Sequence, residues 1–341
     1  MTPSLKRLSA ALAFCVLPLL SSTQAHAFAA VGHSAVGDIA AELIKGSRAE
    51  KEVQRILGAT SLHDIAVWDD CVKGIDALNE FKYTVTGRYP ECAVFENKPD
   101  EEERMRDYVK RNQDACSPKA NEESCHKQYH YTNQAVQRGH YTPGSQGTSD
   151  HDIVASLGVA ITRLQGGKVP APYSLTNERE ALALLVHLVG DIHQPMHVAS
   201  VYLDAEGKLI DPDQPGADPL SHTVGSNAIS ITGGNLHGYW DNAPNRLVPA
   251  DLAALPAAAR AVPATAGSIE QWPVTWANDS IAQGAKAFEG VHYGPRLPGL
   301  RGPRWIGTLP EGYDARSLEQ TREQLAKAGA RLAQLLKAIW P

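Results

Sequence analysis

Two His/Asp pairs, His187 with Asp191 and His237 with Asp241, are the residues of this chain best placed by type and spacing to do chemistry. An i, i+4 separation puts both members of a pair on one face of a helix. The first pair lies in an apolar run from Ala181 to Val189, which continues through His193, Gln194 and Pro195 to His197. An isolated carboxylate among Leu, Val and Ile is costly unless it is paired or coordinated, so a bound metal is the economical explanation. Two such pairs in one chain are hard to assign to packing alone. Three further candidates stand elsewhere: His33, Asp70 with Lys73 three residues on, and His130 beside Tyr131. Taken singly, each has a plainer reading, as a capping histidine, a solvated ion pair at a helix end and an aromatic-flanked packed residue.

The elements that must position these groups are mostly helices. Val36, Ile39, Ala40 and Leu43 predict a helix over 34–44, so His33 sits at its start. The apolar segment 62–68 runs into Asp69 and Asp70, and residues 98–113 read as an exposed charged helix. A loop at 139–147 precedes a helix predicted over 150–164 and ended by Gly166 and Gly167. The central helix opens at Asn177 with Glu180 as its capping-box partner, and Pro195 breaks its geometry before His197. Residues 204–218, rich in Asp, Pro and Gly, form a solvated loop, and 228–231 a short strand. Further helices are predicted over 272–288 and from Ser317, where Gln320 completes a second capping-box pattern. Strands are few, so the expected fold is mainly α.

Lys6 and Arg7 precede an apolar run from Leu8 to Leu20 and an Ala25-His26-Ala27 triplet, which reads as a signal peptide over 1–27 followed by one domain over 28–341. The run is too short for a comfortable membrane span. Removing it takes away Cys15 and leaves Cys71, Cys92, Cys116 and Cys125, an even number suited to two disulfides in a secreted or periplasmic protein. The simplest pairing is Cys71 with Cys92 and Cys116 with Cys125, one of three connectivities. The formal charge of −6 becomes −6 − 2 = −8 without Lys6 and Arg7. Such a chain lacks the basic surface that releases counterions from nucleic acid, so metal ions must supply positive charge to any phosphate site.

In order along the chain stand Phe28-x-x-x-Gly32-His33, Trp68-x-Asp70, His130-Tyr131, His187-x-x-x-Asp191-x-x-Gln194-Pro195-x-His197 and Asn235-Leu236-His237-x-x-Trp240-Asp241. Trp276-Ala277-x-x-Ser280 and Ala328-Gly329-x-Arg331-Leu332-Ala333 follow. With these motifs the chain resembles the zinc-dependent single-strand nucleases with 3′-nucleotidase activity of the S1/P1 type, whose helical fold is shared with bacterial zinc phospholipase C. The resemblance implies three Zn²⁺ ions. One would take Asp70, His130, His187 and bridging Asp191; a second His197, His237 and Asp241; the third His33, Asp191 and the amino nitrogen and carbonyl oxygen of Phe28. His193 is not among the implied ligands. Three zinc ions bring +6 against −3 from the three carboxylates, about +3 in one cleft, which removes the need for a basic surface.

The resemblance further implies single-stranded DNA, RNA and 3′-nucleotides as substrates and 5′-phosphate products, from a monomer with no stable membrane association. Asp70 would assist the attacking water and Lys73 would hold a phosphate oxygen. Tyr131 would stack on a base whose edge meets Asn133 and Asn227. Phe28 stands where such families usually begin with Trp, Asn133 where an acidic base-reading residue is common, and Lys73 where some members carry Arg. A phospholipase C shares the metals and fold, and a non-catalytic exported zinc-binding protein would share the ligands.

Overall fold

The computed structural model describes residues 28–119, 122–299 and 302–341. The signal peptide expected over 1–27 lies outside the described residues. The architecture is mainly α, with twelve α-helices and six short strands among the described residues.

The apolar run that carries His187 and Asp191 forms the helix Glu178–Asp191, buried at every position from Glu180 onward. Asn177 caps it by accepting from the Glu180 backbone N–H at 2.9 Å. The reciprocal bond from Glu180 goes one residue further out, to the Thr176 backbone N–H at 2.9 Å. A helix buried all round needs partners on every side. It is packed by Ile153–Leu164, by the first helix Ala30–Ile44 and by the last, Tyr313–Ile339. The first helix begins four residues before the predicted start. Ile153–Leu164 begins three residues late because Asp152 caps it, accepting from Val154 and Ala155.

The last helix also begins four residues before its expected start. It begins at Tyr313 after Gly312, whose φ of 74° closes a turn into the helix. Ser317 therefore lies inside the helix and Gln320 reaches across to Gln283 rather than back to a cap. The charged helix runs over Pro99–Asn112 and is not wholly exposed: it buries Met105, Tyr108, Val109 and Asn112.

Past Asp191 the chain leaves the α conformation, and Pro195 opens the short 3-10 turn Pro195–His197. A two-residue parallel pairing of Gln134–Ala135 with Ala199–Ser200 follows both His130 and His197, holding those two segments side by side. Thr132 N–H donates to the His197 carbonyl at 2.8 Å in the same seam. The strand expected over 228–231 is Ile229–Ile231, inside a four-stranded sheet. It pairs antiparallel with Gly234–Asn235 and parallel with Trp305–Thr308. The hairpin delivers Asn235 as cap of the helix Leu236–Asp241, which carries His237 and Asp241. Disulfides join Cys71 to Cys92 and Cys116 to Cys125. Among the described residues no helix is long and apolar enough to cross a membrane.

Candidate metal centre

Asp191, at the end of the central helix, is fully buried and lies among four imidazoles. Its carboxylate is 2.9 Å from His130 Nδ1, 3.2 Å from His187 Nε2, 3.2 Å from His33 Nε2 and 3.9 Å from His197 Nδ1. The His33 ring stacks on that of His187 with centroids 3.9 Å apart. This stacking depends on Gly190, where a Cβ would come within 2.6 Å of His33 Nδ1. A second set lies beside the first: Asp241 is 3.5 Å from His237 Nε2 and 3.7 Å from His197 Nε2. Gln194 donates to Asp241 Oδ1 at 2.7 Å and fixes that carboxylate.

Three groups of ligand-type side chains are close enough to surround an ion: His33, Asp70 and His187; His130, His187 and Asp191; His197, His237 and Asp241. Every member is buried. The outward nitrogens of three histidines are tied to main-chain carbonyls. His187 Nδ1 donates to Ala66 O at 2.7 Å, His197 Nδ1 to His130 O at 2.8 Å and His237 Nδ1 to Gly225 O at 2.6 Å. When such a ring is neutral, its inward Nε2 is a bare lone pair. His197 Nε2 and His237 Nε2 face each other at 3.2 Å, and His187 Nε2 faces His130 Nδ1 at 3.0 Å. Nitrogens so close need a cation between them, either a metal ion or the proton that one ring of the pair carries. Asp191 Oδ1 and Asp241 Oδ2 are also buried without a hydrogen-bond partner. This nitrogen and oxygen set therefore fits a divalent metal.

The charges agree with that fit. Burial alone would raise Asp191, but His187 and His197 outweigh it and hold the carboxyl well below its usual range. Burial pushes His33, His130 and His237 down, leaving them neutral. His187 and His197 differ: Asp191 and Asp70 overcome the burial of His187 and lift it to about 9, and Asp191 with Asp241 overcomes the burial of His197 and raises it. Three acceptors are thus prepared, and His187 holds a proton that a metal must displace.

The structure brings together His33, Asp70, His130, His187, Asp191, His197, His237 and Asp241. Phe28 is fully buried at the head of the first helix, and the next residue donates its backbone N–H to Asp241 O at 2.7 Å. Lys73 Nζ contacts Asp70 Oδ1 at 2.6 Å, and the pair is nearly buried rather than solvated. Tyr131 reaches outward and donates to Glu123 at 3.2 Å. Asn133 is buried against Gly225. Asn227 is bonded locally to the Val224 carbonyl at 3.1 Å. His193 stands apart from the cluster, donating from Nδ1 to Val189 O at 2.7 Å and accepting from Arg331 at 2.8 Å.

Two positions were not evident from sequence. Gly225 has a φ of +54° and offers its carbonyl to His237, while a Cβ there would meet Met196 O at 3.0 Å and Asn133 Oδ1 at 3.1 Å. Asp69, which reads from sequence as part of a solvated helix end, is fully buried.

Such a buried His/Asp cluster in a helical framework is a ligand set of the kind that metal-dependent hydrolases use. The S1/P1 nuclease family model matches residues 105–341, well over half of the chain and including six of the eight clustered side chains, from His130 to Asp241. The chain belongs to the S1/P1 nuclease family, and it is a metal-dependent hydrolytic nuclease acting on nucleic acid. No curated protein matches the chain.

Proposed function

We propose that the protein is an exported zinc-dependent phosphodiesterase that cuts single-stranded DNA and RNA to 5′-phosphate products and removes 3′-phosphate from nucleotides. The observation that carries this reading is the set of buried imidazole nitrogens turned toward one another around Asp191 and Asp241, in a chain of net charge −6. Three zinc ions would be held by Asp70, His130, His187 and Asp191, by His197, His237 and Asp241, and by His33 and Asp191 with the α-amino group and carbonyl of Phe28 after removal of residues 1–27; in the structure Asp70 lies within reach of His33 and His187. Bound there, the ions would supply Lewis-acid charge and lower the pKa of a water toward neutrality.

The remaining work falls to the chain. Asp70 accepts a hydrogen bond from the attacking water, in line with phosphorus. Lys73, already 2.6 Å from Asp70, swings its ammonium to a phosphate oxygen and offsets charge in the transition state. Tyr131, beside His130 in the chain, offers a ring face to an unpaired base. Asn133 and Asn227 meet the base edge, which limits the substrate to strands whose bases are free. Two disulfides support export, since such bonds persist in oxidising compartments.

Turnover of single-stranded DNA, RNA, 3′-mononucleotides and phosphatidylcholine by the same preparation tests the reading. Release of nucleotide and phosphate is expected, and lipid hydrolysis without nucleotide release would make the protein a phospholipase C instead. Zinc content that persists with no turnover of any phosphoester would leave it a non-catalytic zinc binder.

A further inference from the structure

Of the histidines around Asp191 and Asp241, His130 has an arrangement of its own. His187, His197 and His237 turn Nδ1 toward backbone carbonyls and Nε2 inward. His130 is reversed: Nδ1 faces Asp191 and His187, and Nε2 faces away from the cluster. On that side lies Asp69, whose Oδ2 is 3.5 Å from His130 Nε2. Both Asp69 oxygens, His130 Nε2 and the Tyr108 hydroxyl are buried without a closed hydrogen bond. The Tyr108 hydroxyl lies against the same carboxylate. A buried carboxylate with no partner is expensive, and here the two nearest donors are a ligand-type imidazole and a phenol.

We propose that Asp69 is a positioning residue for the metal centre: its carboxylate accepts the Nε2 hydrogen of His130, with the Tyr108 hydroxyl on its other oxygen. A ring protonated at Nε2 presents its Nδ1 lone pair to Asp191 and His187, so Asp69 selects the tautomer that binds metal. Closing the 3.5 Å separation to a bond of about 2.9 Å requires a movement of about 0.6 Å. A carboxylate acceptor also makes the ring a stronger donor to metal than the carbonyls behind the other three histidines do. The assignment rests on the metal reading of the cluster.

The test uses the mature protein loaded with zinc and dialysed against graded chelator, with zinc per chain as the readout. Asp69→Ala should release one class of zinc at about 10- to 100-fold lower chelator strength than wild type, with the remaining zinc shifted by much less. Asp69→Asn, which keeps an acceptor oxygen, should fall between the two. Calorimetry of the zinc-free forms separates this from a packing role: Asp69→Asn removes a buried charge and should melt no lower than wild type. Wild-type zinc retention in both variants, equal loss of all zinc, or a lower melting point for zinc-free Asp69→Asn would overturn the proposal. A wild-type protein that binds no zinc would instead overturn the metal reading itself.

Discussion

Replacing Asp191 with Asn keeps the size of the side chain and removes the charge that four imidazoles share. Loss of a group that merely supports a ligand typically costs 10–100-fold in metal affinity, so loss of a ligand between two ions should cost at least about 100-fold at each. That is about 2.8 kcal/mol per ion and about 5–6 kcal/mol for both. Stabilisation by a ligand that binds only the folded state falls by the same amount when the ligand is in excess. At about 2 °C per kcal/mol for a chain of this size, the zinc-induced rise in Tm should shrink by about 10 °C. The zinc-free forms should differ much less, because His187 loses its chief counter-charge and simply returns to the neutral state. Calorimetry of wild type and Asp191→Asn with and without zinc, alongside metal content and cleavage of single-stranded DNA, measures each part. An unchanged zinc-induced rise with full metal content would refute the assignment of Asp191 as the shared ligand.

Gly190→Ala should force the His33 ring off its stack on His187 and lower the zinc content while the protein stays folded; a full complement of zinc would contradict that geometry. Lys73→Ala should lower kcat by about 10²–10³-fold with partial rescue in Lys73→Arg, and an unaltered kcat would remove Lys73 from the transition state. The His187 proton gives a pH dependence. Its value in the folded, zinc-free protein is lifted from 6.5 to about 9, so its stabilising contribution is complete below about 6.5 and is lost as pH rises through about 9. At pH 7 zinc must therefore displace this proton. Loading in weak buffer should acidify the solution, and zinc should be held more tightly at pH 9 than at pH 6; loading without proton release would show that His187 starts out neutral.

Much of the site was legible because its residues are costly where they stand. His187 and Asp191 in an apolar run, and their repetition at His237 and Asp241, have few uses other than coordination. The proline break was equally plain, since a ring that cannot donate a backbone hydrogen ends a helix wherever it falls. Asp69 was not legible. Beside Trp68 and Asp70 it looks like the wet end of a helix, and its burial comes from the Pro99–Asn112 helix, whose Tyr108 packs edge-on against Trp68 at 5.2 Å. The ring orientation of His130 was hidden for the same reason, because a tautomer is chosen by the tertiary neighbour of the other nitrogen. The start of the last helix was misplaced because Ser317 and Gln320 mimic a cap by spacing alone, whereas the observed start depends on the left-handed turn at Gly312.

The His130 main chain links the two halves of the cluster. Its ring belongs with His187 and Asp191, while its carbonyl orients the His197 ring beside His237 and Asp241. An ion that fixes the His130 ring thereby also steadies the donor of the neighbouring ion, so the second ion meets a site whose ordering has already been done. The ions should then load cooperatively, with a zinc titration steeper than independent sites allow. A shallow curve of separate steps would mean that the shared peptide transmits nothing.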